Sequence, residues 1–366
     1  MFSASSKKVC KICGENVVLS ETLAICKNCI KQQWDIAETF VKNAHEKART
    51  RYNLPLLPPT GKKNSCNLCF HNCALENDQV SYCGLRYAHN GETYALVSTN
   101  NAKLEHYLDP LPCNCCAAWF CPAGTGDGFP QYSYRDGPEY GFYNLSVFFY
   151  GCSFDCLYCQ NYHHKNIKLA RDVSDTELLQ TFKNNSRVSC ICFFGGDPGP
   201  QVAHALKTSR IALEEKKKSG RKTPLRVCWE TNGFVSRKFL ERMAKLSLET
   251  GGTVKVDLKA WTPSLYQALT GVQGSKVWGN VELLAKLGRR RASPPLLVVS
   301  TLLVPGYVDA WEVENIAKRL AELDPGIPYS LLAFYPHYMM RDLPTTPRRL
   351  AEECYERART YLENVR

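Results

Sequence analysis

Apolar runs alternate with polar–apolar stretches from about residue 144 to the end of the chain. The β-rich apolar runs cover 145–150, 188–194, 225–229, 253–258, 296–304 and 329–334. The stretches between them are long enough for helices and cover 174–183, 202–218, 236–246, 276–287 and 310–323. This alternation predicts right-handed βαβ units and a parallel sheet with helices outside. Six units fit an α/β fold of the partial (β/α)6 TIM-type barrel, and a doubly wound sheet is the alternative.

The first third of the chain has a different pattern. Residues 1–52 are compact and Cys-paired, with a helix-compatible stretch at 35–51, and predict a zinc-ribbon-like module. Pro, Gly and Lys at 53–65 predict a linker. Residues 66–143 have little helical periodicity and predict loops around metal. Residues 144–340 form the predicted barrel, and 341–366 predict a C-terminal helix.

Composition narrows the class of protein. Hydrophobic residues make up 44% and charged residues 22%, which is typical of a globular chain. No run approaches the roughly 18 apolar residues of a membrane span. The opening segment MFSASSKKVCK has no apolar stretch of the kind found in a secretory signal. We therefore expect a cytoplasmic protein with no membrane partner.

The 19 cysteines occur mostly in close pairs and predict metal binding rather than disulfides. Their metals also change the meaning of the formal net charge of +11. Four metallated groups with deprotonated thiolates would lower this charge to about +4. The charge therefore does not by itself indicate a nucleic-acid partner.

The motif GCSFDCLYCQN at 151–161 is the strongest indication of function in the sequence. Cys152, Cys156 and Cys159 have CxxxCxxC spacing in the loop directly after the first barrel strand. Three thiolates can bind three irons of a cubane cluster and leave the fourth iron without a protein ligand. An open position of this kind is typical of a catalytic metal.

Three more motifs follow in order, each at a predicted strand end. FFGGDPGPQ spans 193–201, ETNG spans 230–233 and DLK spans 257–259. Together with CxxxCxxC and its aromatic Tyr158, they resemble the radical SAM superfamily. The order is most similar to the pyruvate formate-lyase activating enzyme branch and covers about 144–340.

The resemblance implies a [4Fe–4S] cluster on the three cysteines, with S-adenosylmethionine (SAM) chelated to the open iron. It also implies a set of cofactor-binding residues around them. These are Tyr158, Gly195, Gly196, Asp197, Glu230, Asn232, Asp257 and Lys259.

Within this set the implied roles differ. The two glycines let backbone approach the ligand closely, and Lys259 matches the lysine that reaches the SAM carboxylate. Glu230 and Asp257 match carboxylates that hold a monovalent cation, although the family usually has Asp at the first position. Asp197 likewise stands where the family often has Glu. Tyr335 or His337 is a candidate contact for the ribose, and a packed aromatic is the alternative.

The other cysteine sets predict further metals. Cys10, Cys13, Cys26 and Cys29 have zinc-ribbon spacing and predict tetrahedral zinc. Cys66, Cys69, Cys73 and Cys83 resemble the Cys-rich segment before the barrel in some activating-enzyme-like proteins and predict zinc or an auxiliary [4Fe–4S] cluster. In CNCCAAWFC at 113–121 the expected pair is Cys115 and Cys121, with reduced structural thiols as the alternative.

The resemblance implies an enzyme that cleaves SAM reductively to methionine and a 5′-deoxyadenosyl radical, which abstracts hydrogen from a substrate. One version activates a glycyl-radical enzyme, so a protein or peptide is the expected substrate. The electron donor would be a flavodoxin or ferredoxin. Modification of RNA, with the zinc ribbon as docking element, is a second version. Whether nucleic acid is a partner is therefore open. A non-catalytic zinc-dependent binding module is the alternative from another class.

Overall fold

A computed structural model describes residues 7–62, 65–113 and 115–366 of the chain. Residues 1–6 of the opening segment, residues 63–64 of the predicted linker and residue 114 of the third cysteine set lie outside the described residues.

The described chain contains twelve strands and ten α-helices in an order that changes from mostly β to alternating β and α. The strands are β1 Lys7–Val9, β2 Asn16–Val18, β3 Arg86–His89, β4 Glu92–Ala95, β5 Asn101–Pro110, β6 Tyr143–Phe149, β7 Asp172–Ser174, β8 Val188–Gly195, β9 Arg226–Thr231, β10 Val254–Asp257, β11 Leu297–Leu303 and β12 Tyr329–Ala333. The helices are α1 Lys27–Gln32, α2 Trp34–Thr50, α3 Pro122–Thr125, α4 Asp175–Asn184, α5 Val202–Lys218, α6 Arg237–Thr250, α7 Pro263–Thr270, α8 Ser275–Gly288, α9 Ala310–Leu323 and α10 Arg348–Arg359.

The central sheet contains the six predicted strands, all parallel. Its order is β12-β11-β10-β9-β8-β6-β5-β7, in which β5 and β7 are antiparallel additions at one edge. The parallel strands follow one another in sequence order without the reversal that defines a doubly wound sheet. The two edge strands of the described sheet do not pair with each other, so the barrel is open. The predicted α/β partial barrel is confirmed.

The strands are apolar because both faces of a parallel sheet are covered. β8 and β11 are buried along most of their length, and the helices that follow the strands present their apolar faces to them. Local signals agree with this arrangement. Ser174 accepts a hydrogen bond from the Glu177 amide at the start of α4, and Asp309 accepts one from the Glu312 amide at the start of α9.

The N-terminal region packs directly on the barrel. The buried face of α2 belongs to the same hydrophobic core as the barrel. Lys31 of α1 pairs with buried Glu312 of α9 at 3.3 Å, and the Tyr307 hydroxyl donates to the Ile25 carbonyl at 3.2 Å. The expected linker is also bound, because the Gly61 amide donates to the Ala74 carbonyl at 2.8 Å.

Residues 66–143 contain more regular structure than their pattern predicts. β3 and β4 form a hairpin, and the ten-residue β5 joins the central sheet beside β6. The loop prediction is therefore wrong for β3, β4 and β5, whereas most of the other described residues of the segment lie in loops. In β5 only Ala102 and Leu104 are fully buried, with Lys103 and Glu105 on the opposite face. The two-residue alternation is therefore short, because His106 and Tyr107 interrupt it.

None of the described helices combines the length and apolar character needed to cross a membrane.

Candidate active site at the carboxyl ends of the strands

The three cysteines of CxxxCxxC lie on one cavity. The loop that carries Cys152, Cys156 and Cys159 starts directly after β6, and all three line a cavity of about 250 Å³ at the carboxyl ends of the strands. The amides of Asp155 and Leu157 donate to the last carbonyls of α7, at 2.8 Å and 3.0 Å. Burial raises the pKa of the Cys156 thiol, so metal binding there would release its proton.

A buried ion network lies beneath this loop. Asp155, between the first two cysteines, is fully buried and pairs with Lys165, with Nδ1 of His45 at 2.8 Å and with Arg49 at 3.7 Å. Burial alone would raise the pKa of Asp155, but Lys165 and His45 lower it well below its usual range. His45 and Arg49 belong to α2, so the N-terminal region holds the cysteine loop. In the sequence, Asp155 is an acidic residue with apolar neighbours, and none of the motifs indicated its role.

The glycine-rich turn after β8 needs its glycines for close backbone contact. Gly195 has φ +116°, and a Cβ there would lie 2.5 Å from the Phe149 amide nitrogen. A Cβ on Gly196 would lie 2.4 Å from the Gly151 carbonyl oxygen, at the start of the cysteine loop. The turn can therefore approach the cysteine loop only without side chains at these positions.

Asp197 joins two strand-end loops. Its carboxylate accepts from the Thr231 hydroxyl at 2.7 Å, the Asn232 amide at 2.9 Å and the Gly199 amide at 2.8 Å. Burial raises the pKa of Asp197 to about 6. The residue does not line the cavity, so the structure places it behind the site as a positioning residue.

Asn232 bridges the third strand end to the cysteine loop. Its side-chain amide donates to the Ser153 hydroxyl at 3.0 Å and reaches the Cys152 sulfur at 3.5 Å. A hydrogen bond to sulfur favours the thiolate and tunes a metal bound to it. Asn232 is thus placed to orient Cys152 as well as to line the cavity.

Four alternating charges cross the cavity wall from β9 to the end of β10. Lys255 Nζ lies 2.9 Å from a Glu230 oxygen and 3.5 Å from an Asp257 oxygen, and Lys259 Nζ lies 3.2 Å from the other Asp257 oxygen. Burial raises the pKa of Asp257, but the two ammonium groups lower it well below its usual range. Sequence reasoning missed Lys255, whose ammonium sits between the carboxylates expected to hold a monovalent cation.

The remaining expected residues divide between the cavity wall and the surface. Tyr158 lines the cavity, whereas Tyr335 and His337 do not. Gln160, Asn161 and His164 also line it and were not expected. His164 Nδ1 is buried and has no hydrogen-bond partner among the described residues.

A second cavity of about 130 Å³ adjoins the first inside the barrel. Its wall is rich in thiols, contributed by Cys113, Cys115, Cys121, Cys190, Cys192 and Cys228. Cys190 and Cys192 face it together because side chains two apart on a strand share a face. Both cavities include Phe194, Glu230 and Lys255 in their walls.

The segment between β5 and β6 supplies the loop side of this second cavity. Glu139 in it forms a buried two-bond pair with Arg226 of β9, at 2.8 Å and 2.6 Å. Further along, the Ser330 hydroxyl donates to the Cys116 carbonyl at 2.8 Å. The segment therefore spans the barrel interior from β9 to β12, which its loop-like sequence did not indicate.

The N-terminal cysteines come together as their spacing predicts. The ligand sulfurs of Cys10, Cys13, Cys26 and Cys29 all lie within 4.8 Å of one another. Cys10 to Cys29 and Cys13 to Cys26 each measure 3.8 Å. An ion with four sulfurs at about 2.3 Å has tetrahedral edges of about 3.8 Å. The group can therefore hold a metal ion, and its identity as zinc stays a prediction.

The second cysteine set is more open. Cys66, Cys69, Cys73 and Cys83 do not form a described group whose sulfurs all lie within 4.8 Å. The set lies beside the active-site loops, because the Phe70 amide donates to the Phe234 carbonyl at 3.1 Å and His71 Nε2 contacts the Ser153 carbonyl at 2.7 Å. The choice between zinc and an auxiliary cluster stays open.

The barrel region is similar to known proteins. Residues 146–320 match the model of the radical SAM superfamily. A protein of Methanocaldococcus jannaschii whose name provisionally assigns it to glycyl-radical enzyme activation is 26% identical over 224 residues, 60% of this chain and 79% of that protein. The pyruvate formate-lyase 1-activating enzyme of Escherichia coli K12 is 25% identical over 190 residues, 51% of this chain and 69% of that enzyme.

Solved structures also match. SuiB of Streptococcus suis, bound to S-adenosylmethionine, has a TM-score of 0.44 and 13% identity over 58% of this chain. The chain spans about half of that structure, 47% of its length.

Proposed function

We propose, from the match of residues 146–320 to the radical SAM superfamily, that this protein cleaves SAM reductively and that its substrate is a protein. The similarity of this region to the superfamily supports SAM-dependent radical chemistry on a [4Fe–4S] cluster. The protein substrate is the finer part of the proposal. It is supported by relatives whose names refer to activation of glycyl-radical enzymes and of pyruvate formate-lyase.

One observation carries the proposal: residues from four separate strand ends line the same cavity. They are the cysteine triad after β6, Gly195 and Gly196 at the end of β8, Asn232 after β9, and Asp257 and Lys259 at the end of β10. In barrels, residues at the carboxyl ends of strands form the active site. A structural metal loop alone would not need this convergence.

The residues fit the implied cofactors by their chemistry. Cys152, Cys156 and Cys159 are three soft ligands on one short loop, which suits three irons of a cubane and leaves one iron for SAM. The cluster and SAM supply, when bound, a one-electron cleavage that gives methionine and a 5′-deoxyadenosyl radical. The protein's part is to bind, orient and exclude competing reactions.

The charged residues of the wall suit the amino-acid end of SAM. Lys259 is mostly buried, with 13% of its side chain exposed. Burial lowers the pKa of its ammonium, but the Asp257 carboxylate raises it by more, so Lys259 stays cationic. A buried ammonium is a strong partner for a carboxylate. Asp257 holds Lys259 in place at 3.2 Å and is itself held by the Ser300 hydroxyl.

SAM cleavage is tested by anaerobic reconstitution with iron and sulfide, reduction, and measurement of 5′-deoxyadenosine. Wild-type protein should produce it, and Cys156→Ser should lose it together with part of the iron. Cys354→Ser is the matched control, because Cys354 is a fully buried thiol packed between α10 and the core, away from the cavity. Intact SAM with the reconstituted wild-type protein would refute the proposal.

The protein substrate is tested separately. Under the same conditions a pyruvate formate-lyase polypeptide is added, and the glycyl radical is sought by electron paramagnetic resonance. A glycyl radical that requires both SAM and the cysteine triad supports the activase. If 5′-deoxyadenosine forms and no radical appears on the polypeptide, this substrate is refuted while SAM cleavage stands.

A further inference from the structure

Two neighbouring thiols and a carboxylate meet where the two cavities adjoin. The ligand atoms of Cys115, Cys116 and Glu230 all lie within 4.8 Å of one another, with Cys115 Sγ and Glu230 Oε1 separated by 3.1 Å. Within residues 7–62, 65–113 and 115–366, only the N-terminal four-cysteine group also meets this criterion. Neither SAM cleavage nor the cluster loop explains these two thiols.

We propose that Cys115, Cys116 and Glu230 form a site for a divalent metal of the zinc class. Thiolate sulfur together with carboxylate oxygen suits a borderline-soft ion of this kind. Tetrahedral coordination at normal bond lengths gives ligand separations of about 3.8 Å between sulfurs and about 3.5 Å between sulfur and oxygen. The observed group needs only small side-chain movements to reach them.

The surroundings already support such ligands. The Ala117 amide points at the Cys115 sulfur at 3.4 Å, as an outer partner of a thiolate would. Lys255 Nζ lies 2.9 Å from Glu230 Oε2, the carboxylate oxygen that does not face Cys115. Lys255 can therefore keep its bond to Glu230 while Oε1 binds a metal.

The net charge of the cavity wall is the same with and without the ion. Without metal, the carboxylates of Glu230 and Asp257 are matched by the ammonium groups of Lys255 and Lys259. A divalent ion brings two positive charges, and deprotonation of Cys115 and Cys116 brings two negative ones. Binding should thus release two protons and leave the wall neutral.

Three protein ligands leave a fourth position open. Cys113 lines the same cavity as Cys115 but is outside the group of three. Cys115 and Glu230 line the cysteine-rich cavity, and Glu230 also lines the active-site cavity. A thiolate or carboxylate of a substrate can therefore bind the ion from this side. That role rests on the proposed function, whereas metal binding itself does not.

The binding test uses anaerobic, iron-reconstituted protein equilibrated with Zn²⁺ alone. We expect Cys115→Ser/Cys116→Ser to hold one zinc per chain less than wild type, with the same iron content. Cys113→Ser and the control Cys354→Ser should keep the wild-type zinc. Equal zinc in wild type and the double variant would overturn the site, and loss of zinc in Cys113→Ser would overturn the open position.

A second measurement needs no variant. Alkylation of wild-type protein, followed by mass spectrometry, should show Cys115 and Cys116 modified at least about 10-fold more slowly with Zn²⁺ than after its removal. Unchanged rates would contradict the proposal. The proposal would also be contradicted if the two thiols reacted only after a reductant was added, because they would then be paired in a disulfide. If zinc binds and SAM stays intact, the metal site stands and the proposed function fails.

Discussion

Replacing Asp155 by Asn tests the ion network beneath the cysteine loop. The substitution keeps the shape of the side chain but removes the charge that pairs with buried Lys165 and with Arg49. Breaking a buried pair while its partners stay buried costs about 3–5 kcal/mol. The entropy of unfolding for a chain of 366 residues is about 0.77 kcal/mol/K, so the melting temperature should fall by about 4–6 °C.

The assay is thermal unfolding of the metal-free protein followed by circular dichroism, so that iron loss does not confound the result. Asp172→Asn is the matched control: Asp172 pairs with Lys103 at 2.8 Å, but its side chain is 65% exposed. Such a pair contributes about 0–1 kcal/mol, and its loss should shift the melting temperature by at most about 1 °C. A shift for Asp155→Asn as small as that of the control would refute the reasoning.

The pH dependence gives a second check on Asp155. Its pKa in the folded state lies below the unfolded value of about 3.9, because Lys165 and His45 outweigh the effect of burial. The stabilisation is therefore complete above about pH 5 and is lost as pH falls through 3.9 towards the folded pKa. The difference in melting temperature between wild type and variant should be constant from pH 7 to 5 and should narrow below pH 4. A difference that grows on acidification would show that another group is responsible.

Three further changes have distinct expected results. Lys259→Met should weaken SAM binding, measured by calorimetry on reconstituted protein, by about 10- to 100-fold through loss of a charged hydrogen bond, while exposed Lys245→Met should not. Arg226→Met leaves a buried carboxylate unpaired and should lower the melting temperature by about 4–6 °C; no shift would contradict the pairing. Gly196→Ala should reduce bound iron, because its Cβ would lie 2.4 Å from backbone oxygen. The matched Gly279→Ala has open space within 4 Å and should keep full iron.

The sequence predicted those parts of the molecule that depend on local pattern. The six parallel strands follow from apolar runs, and α5 and α9 begin and end at the expected residues. The short α7 was missed because its eight residues fall inside one presumed connection. β5 was missed because its partner strand lies more than thirty residues further along the chain, so its pairing left no local signal.

The candidate site was predictable where chemistry follows a motif. The expected residues of the four motifs, except Asp197, line the active-site cavity, whereas Tyr335 and His337 do not. Lys255 was missed because it precedes the DLK motif on β10 and reads as part of an apolar strand. Cys192 and Cys228 belong to no cysteine motif, and only the register of β8 and β9 makes them neighbours. The role of such residues depends on contacts between elements that are distant in the chain, and a single sequence does not show these contacts.

The N-terminal metal group offers a final test, because it lies at one end of a continuous chain of contacts to the active site. The Cys26 sulfur accepts the Cys29 amide at the start of α1, and α2 follows directly. α2 carries His45 and Arg49, which hold Asp155 in the cysteine loop.

If zinc occupies this group, its loss should loosen α2 and with it the cysteine loop. Cys13→Ser should therefore lose one zinc and also release iron to a chelator faster than wild type. Arg226→Met, which weakens the barrel without contacting α2, is the comparison at similar loss of stability. Faster iron release in Cys13→Ser than in Arg226→Met would indicate that the coupling runs through α2. Equal release in the two variants would mean that iron is lost through general destabilisation. The contacts through α2 would then have no separate effect on iron binding.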